Sequence, residues 1–399
     1  MRFAGVDVGS ETHVIAVVGE RGGVEVAPTR FAEDARGYEG LLKLLGRPDD
    51  VMVAMEATGH YWQNLFAVLA SSGFEIVLLN PLRTRRFAEE DLQRAKTDSV
   101  DAVSIARFVE QKRPPATSIP TAAAMEIKEL VALRDRLVQD LGDRVRQLHR
   151  LVDLGFPEFT RYVKTLDSQL ATSILSKYPT ARSMAGLVPR RLAKLAYDGE
   201  RKVGPEIARG LCEAASVSVG QHHGPAYQVQ VRYACEDIDV LRKRLKDADD
   251  RIRGVLAEHE IGRLLVTITG LGPNTAARII AAVRDPSLFR SAGAFAAYVG
   301  VVPGIKHSGK RTPTRAVLCP TGNAALRRAL WMPVLVAVKH NPWLRSHYQR
   351  LRTAGKPPKV ALIACMRKLL TAIYSVAKHR RPFTPAVSGP RLAPAEVTA

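Results

Sequence analysis

The 399-residue sequence predicts an α/β domain with a mixed sheet, followed by a second part that is almost all α. Three observations carry this. Residues 1–115 alternate short apolar runs with helically spaced ones. Two later stretches, 125–152 and 227–256, place an apolar residue every three to four positions. Glycine and proline then punctuate shorter helical segments up to about residue 385.

The strands expected are 3–8, 14–18, 24–27, 51–55 and 75–79. The first three are separated only by Gly9-Ser10 and by Gly19 to Gly23, too little chain for a helix, so they form an antiparallel meander. Helical spacing marks 38–45 and 61–70. The order β-β-β-α-β-α-β-α resembles the ribonuclease-H-like (RuvC-like) fold, in which helices cover both faces of a mixed sheet.

Four carboxylates fall at element ends in this frame. Asp7 closes the first strand. Glu56 follows the apolar run Val51 to Met55, at the C-terminal strand edge where open α/β sheets bind ligands. Asp98 and Asp101 stand at i and i+3, on one face of a helix. Crowded carboxylates repel unless a cation neutralises them. An all-oxygen donor set without Cys or His suits Mg²⁺ or Mn²⁺. Two such ions about 4 Å apart can clamp the attacking and leaving oxygens of a phosphodiester. Taken singly, each acid also fits a helix cap or a solvated surface.

Pro114, Pro115 and Pro120 mark a linker, and domain boundaries are expected at 1–115, 116–261, 262–385 and 386–399. The middle region holds the two long amphipathic helices, expected as coiled-coil arms that pair with each other or with another subunit, and a helical insert. Thr269-Gly270-Leu271-Gly272-Pro273 resembles a helix-hairpin-helix turn, where backbone N–H groups at Gly270 and Gly272 meet a DNA phosphate. Past Val302-Pro303 comes a polar loop with Lys306, Ser308, Lys310 and Arg311, followed by Arg327 and Arg328. These cations are candidate nucleic-acid contacts. Ser308 is either a nucleophile toward phosphate or a phosphate-contacting loop serine. The Pro/Ala-rich stretch 386–399 is expected to be disordered.

Charge points to the partner. From residue 301 on there are 18 Lys plus Arg and one acid, Glu396, so nearly all of the net charge of +20 lies in that stretch. A basic end on a near-neutral body fits a polyanion, DNA or RNA. With 46% hydrophobic residues the chain can build sizeable cores, which excludes a disordered chain. No apolar run approaches the ~20 residues of a membrane helix. Asp7 and Glu11 interrupt any signal-peptide pattern, so no membrane and a cytoplasmic, nucleoid-associated location are expected. Cys212, Cys235, Cys319 and Cys365 make no CxxC pair, which argues for buried thiols over a zinc site or disulfides.

Gly5-Val6-Asp7-Val8-Gly9, Met55-Glu56-Ala57-Thr58-Gly59 and Lys96-Thr97-Asp98 through Asp101-Ala102, then Gly270-Leu271-Gly272-Pro273 and Tyr298-x-Gly300-x-Val302-Pro303, together resemble the insertion-sequence-110 family of DEDD transposases. The resemblance covers the N-terminal ~155 residues and roughly 260–375. It implies a RuvC-like domain binding Mg²⁺ through Asp7, Glu56, Asp98 and Asp101, and a C-terminal transposase domain whose catalytic serine maps to Ser308. It further implies homo-oligomers (dimer or tetramer) joined through the coiled-coil helices, composite sites shared between subunits, and a structured noncoding RNA that guides the choice of target and donor DNA. Where the family pattern reads Ser-Ser-Gly-Gly-Lys, this chain reads His307-Ser308-Gly309-Lys310. Three other readings are weighed: a hydrolytic RuvC-like junction nuclease, an actin-like ATPase, which would need a second Gly-rich phosphate loop not found here, and a non-enzymatic nucleic-acid binder.

Overall fold

The computed structural model describes residues 1–90, 98–119, 121–304, 317–318 and 321–385. The chain divides into two compact units, Met1–Pro120 and Thr121–Ala399.

The first unit contains β1 (Arg2–Asp7), β2 (Thr12–Val18), β3 (Val24–Ala32), α1 (Ala35–Leu45), β4 (Val51–Glu56), α2 (Trp62–Ser71), β5 (Glu75–Leu79), α3 (Pro81–Glu90) and α4 (Asp98–Lys112). They build a five-stranded mixed sheet in the order β3-β2-β1-β4-β5. The meander β1-β2-β3 is antiparallel, while β1, β4 and β5 run parallel. The strand expected to stop at Ala27 runs on to Ala32, through Pro28. It can do so because β3 is an edge strand, where a missing N–H costs no ladder bond. Asp34 accepts from the Gly37 N–H and starts α1 earlier than its apolar spacing suggested.

Alternation along β1 divides the packing. Ala4 and Val6 join Ile15, Val53, Met55, Leu41 and Leu65 in the core beneath α1 and α2. Phe3 joins Ala54, Val77, Leu79, Ile105, Ala106 and Val109 in the core beneath α3 and α4. Gly5 lies on that second face. A Cβ there would sit 2.2 Å from the Ala102 carbonyl oxygen and 2.4 Å from the Ala106 nitrogen. Helix α4 therefore crosses β1 backbone against backbone. Ala102 packs on Val14 and Ala16, while at the other end the Arg113 guanidinium lies 4.1 Å from the Phe3 ring centre. These contacts run α4 antiparallel to β1 and put its first turn at the Asp7 end.

On the opposite face a polar network ties β2, β3, α1 and α2 together. The Glu33 carboxylate accepts from Tyr38 and His13 on one oxygen and from Asn64 at 3.0 Å on the other. Burial alone would push the Glu33 carboxyl up, but these hydrogen bonds outweigh it and hold it below its ordinary value. A depressed carboxyl adds stability that is complete above its unfolded-state pKa and is lost as pH falls through the folded value. Glu33→Gln is therefore expected to flatten the acid limb of stability. Urea unfolding at about pH 6 and about pH 3 should show a smaller loss on acidification than in the wild type.

The second unit opens with α5 (Ala122–Gly155). An insert follows: α6 (Phe159–Tyr162), α7 (Gln169–Lys177), α8 (Ala181–Met184), α9 (Pro189–Ala193), the hairpin β6 (Ala196–Tyr197) and β7 (Arg201–Lys202), and α10 (Pro205–Ser216). Helix α11 (Pro225–Glu258) returns along α5. The remainder is α12 (Glu260–Leu265), α13 (Pro273–Val283), α14 (Ala292–Val299), β8 (Pro303–Gly304), β9 (Val317–Leu318), α15 (Ala324–Ala329), α16 (Trp331–His340), α17 (Pro342–Thr353) and α18 (Pro358–His379).

Helices α5 and α11 pair antiparallel within the chain. Arg134 meets Asp249 at 2.5 Å and Arg144 meets Asp237 at 3.0 Å, around Leu137, Leu241 and Ala248. Each end of the pair carries a core. Leu148, Leu151 and Val152 with Val231, Ala234 and Ile238 anchor the insert. Ile127 and Val131 with Ile252 and Leu256 anchor α12 to α18. Helix α18 is long and apolar enough, by length and composition, to cross a membrane, although no such run stood out in the sequence. Half of that stretch is buried in the unit, with Leu369, Leu370 and Ile373 fully enclosed, and Arg367 and Lys368 interrupt it. It packs as the central helix of the C-terminal core. Cys212, Cys235 and Cys365 are buried free thiols, and Cys319 lies outside the described residues.

Candidate active site

Asp7 ends β1 and Glu56 ends β4. The two strands are parallel, with Val6 opposite Met55, so the next step of the same register sets Asp7 beside Glu56. Neighbouring strands lie about 4.8 Å apart. Side chains alternate along a strand, so Asp7 shares the face of Gly5, and Glu56 that of Ala54. Both carboxylates therefore stand on the α4 face of the sheet, at its C-terminal edge. Asp101 directly precedes Ala102, which packs on Val14 and Ala16, and Val14 is the register partner of Asp7. The first turn of α4 thus brings Asp101 to the same edge. Asp98 opens that helix, and its side chain lies outside the described residues.

Two threonines hold Glu56: Thr58, which stood in the motif around Glu56 with no role attached to it, and Thr84, which stood in no motif. The buried Thr84 hydroxyl on α3 donates to Glu56 Oε1, and the Thr58 hydroxyl donates to Oε2 at 3.4 Å. Such bonds fix a ligating carboxylate's rotamer. Thr84 sits among Arg83, Arg85 and Arg86, so nothing in the local pattern marked it. Thr84→Val keeps the shape but removes the donor. It is expected to free the Glu56 side chain from that orientation, with little change in Tm measured by thermal unfolding.

Do these residues fit a divalent cation? The donors are hard oxygens set at one sheet edge, a donor chemistry that suits such an ion. Among the described residues no three acids or imidazoles gather closely enough to enclose an ion by themselves. The fourth carboxylate of the set, Asp98, is the one whose side chain is not described.

A second group of candidate residues belongs to the second unit. Ser308, Lys306, Lys310 and Arg311 lie in 305–316, outside the described residues. The stem that carries this stretch is described. Pro303 pairs with Leu318 and Gly304 with Val317, so both ends meet in one antiparallel rung. Beneath it two glycines cross. Gly300, at φ +81°, ends α14, and a Cβ on Gly322, at φ +121°, would lie 2.6 Å from the Gly300 Cα. Asn323 donates its backbone N–H to the Tyr298 carbonyl at 2.7 Å and caps α15 with its side chain. Arg327 donates to the Val299 carbonyl at 3.1 Å, so its guanidinium is half-buried at the end of α14, whereas Arg328 is exposed. Gly270 is packed against Ala337 of α16, while the space beside Gly272, which precedes α13, is open. Arg278 on α13 clamps Asp135 of α5 through both guanidinium nitrogens.

Known proteins share this arrangement of parts. A family model described as a transposase, of the DEDD IS110 type, matches residues 4–157, and one described as "Transposase IS116/IS110/IS902 family" matches 262–349. The uncharacterized 44.8 kDa protein of insertion element IS116 from Streptomyces clavuligerus is 26% identical over 96% of this chain and 96% of its own length. The pilin gene-inverting protein of Moraxella bovis is 26% identical over 82% of this chain and 80% of its own. Among solved structures, T. thermophilus RuvC in complex with a Holliday junction substrate is 16% identical and covers 29% of this chain and 99% of the RuvC chain, at a TM-score of 0.23. With one model spanning the carboxylate domain and the other the glycine-crossed stem, the chain belongs to the IS110 family of transposases, enzymes that recombine DNA.

Proposed function

We propose that this transposase cuts and rejoins DNA strands with Asp7, Glu56, Asp98 and Asp101 as ligands of Mg²⁺ or Mn²⁺ and Ser308 as nucleophile. The observation that carries the reading is the parallel register of β1 and β4 up to Val6 and Met55, after which Asp7 and Glu56 close the two neighbouring strands, with Ala102 packed on Val14 next to Asp101. A divalent ion bound there would supply charge neutralisation to the phosphodiester. Thr84 and Thr58 hold Glu56 in a fixed rotamer through hydrogen bonds to its two carboxylate oxygens. The Ser308 oxygen attacks phosphorus, an Oγ–P bond forms, and the bond to the leaving DNA oxygen breaks with a proton passing to that oxygen. A DNA hydroxyl then displaces Ser308 and returns its proton, so one ester replaces another and no ATP is needed. Lys306, Lys310 and Arg311 flank the serine and favour its alkoxide. Gly270, Gly272 and Arg328 contact DNA backbone, with Arg327 beside them.

The reading includes a structured noncoding guide RNA, donor and target DNA, and a dimer or tetramer assembled through α5 and α11, acting at the bacterial nucleoid. Tyr233 and Val240 on α11 are exposed, which supports further packing there. The test is Ser308→Ala. Denaturing gels should show a protein–DNA adduct in the wild type and none in the variant, with strand exchange lost. If exchange persists without any adduct, water is the nucleophile and the enzyme is a hydrolytic junction nuclease.

A further inference from the structure

Between Asp285 and Glu396 the sequence contains no acidic residue, and α17 and α18 lie wholly inside that stretch. Their contact face gathers cations without a counter-charge. Trp343, His347 and Arg350 stand at i, i+4 and i+7 on α17, which is one stripe of the helix. Lys368 of α18 reaches this stripe, its Nζ 4.1 Å from the Trp343 ring centre. Arg350 Nη2 lies 3.0 Å from His347 Nδ1. A guanidinium only donates, so Nδ1 accepts, and Nε2 carries the ring's proton as a further donor. Among the described residues no carboxylate pairs with Lys368 or Arg350. Burial, then Arg350, hold the Lys368 amine below its ordinary pKa, and burial, then Lys368 and Arg350, do the same to His347.

Like charges packed together oppose folding unless something neutralises them. Among the described residues no carboxylate does so, and the Trp343 ring holds the Lys368 ammonium in place through a cation–π contact without cancelling its charge. What the cluster fits is an anion that accepts several donors at once, as a phosphodiester oxygen pair does. The cluster also lies apart from the segments already discussed. Lys368 and Arg350 are beyond residue 349, where the second family match ends.

We propose that Lys368, Arg350 and His347 form a phosphate clamp at the α17–α18 contact that grips the backbone of duplex DNA. The proposal rests on the chain being a DNA-acting transposase and is independent of which group is the nucleophile. It would add affinity without sequence preference, because phosphate contacts carry no base information.

The experiment uses the full-length protein and a duplex of arbitrary sequence, titrated at several salt concentrations with EDTA present, so that no strand is cut. Lys368→Met keeps an unbranched apolar chain beside Trp343 and removes the charge, whereas Lys368→Arg keeps a cation over the ring. Affinity should fall roughly tenfold at ~0.1 M salt, and the slope of log K against log salt should become shallower by about 1. Removing an uncompensated charge should leave Tm unchanged or raised. Lys368→Arg should retain the affinity, and Arg350→Gln should reproduce the loss. Unchanged affinity and slope in both Lys368→Met and Arg350→Gln overturn the clamp. Equal losses in Lys368→Met and Lys368→Arg, with a lower Tm, show a packing role and also overturn it. If a structured RNA, titrated in parallel, is the sole ligand affected, the assignment to duplex DNA is wrong. Catalytic failure of Ser308→Ala leaves every one of these readouts in place.

Discussion

Asp7→Asn is expected to lower DNA strand exchange by at least about a thousandfold, with the fold intact. Asn is nearly isosteric with Asp, so the end of β1 and its register with Val14 should persist. What changes is charge. An amide is a poor ligand for a hard divalent ion, and its N–H₂ group points donors where an acceptor is needed. The dependence of residual activity on Mg²⁺ should shift to higher concentration, and the unfolding midpoint should move little. Glu56→Gln should behave in the same way, because it occupies the neighbouring strand end in the same register. Full activity in Asp7→Asn would reject the carboxylate edge as the catalytic centre and favour a binding role for it.

Gly5→Ala is expected to cost about 3–5 kcal/mol in the first unit. The added Cβ would fall 2.2 Å from one backbone atom of α4 and 2.4 Å from another. Flexible side chains can move aside, but here the obstacles are a helix carbonyl and a helix N–H. The helix must lift off β1 as a body. Lifting it opens the contacts of Ala102, Ile105 and Ala106 and carries Asp101 away from Asp7. Thermal unfolding should show a lower Tm, and strand exchange should fall with it. Gly254 on α11 provides the contrast, since a Cβ there meets nothing within 4 Å. Gly254→Ala should be neutral or stabilise by up to about 1 kcal/mol.

The two variants separate chemistry from architecture, and they also mark what was legible. Asp7 and Glu56 could be read as strand-end carboxylates because a short continuous apolar run leads into each. Asp98 and Asp101 could be paired from their spacing alone. The order of the first seven elements followed from run lengths and glycine-rich turns, and β5 was placed to the residue, whereas α3, between β5 and the helix of Asp98, was not anticipated. Pro28 misled, since its effect depends on whether the strand lies at an edge, a fact about the sheet and not about the local chain. Thr84 left no trace, because its role rests on α3 crossing near Glu56. The insert read only as a helical stretch broken by prolines, because its apolar residues close their core on Leu148, Leu151 and Val152 of α5 and on Val231, Ala234 and Ile238 of α11, which flank it on either side.

By itself, then, the sequence determined which stretches are strands and which are helices, where the net charge lies, and which acids stand at element ends. Periodicity and composition are local properties that a chain states directly. Only the tertiary structure decided that β1 and β4 are neighbours in register, that α4 runs antiparallel across Gly5, and that Lys368, Arg350 and His347 share one contact. Those facts depend on which surfaces bury one another, and burial is settled by pairs of residues distant along the chain. Gly5 belongs to both accounts. In the sequence it was one glycine beside Asp7, and in the fold it is the gap that lets a helix bring Asp101 to that same edge.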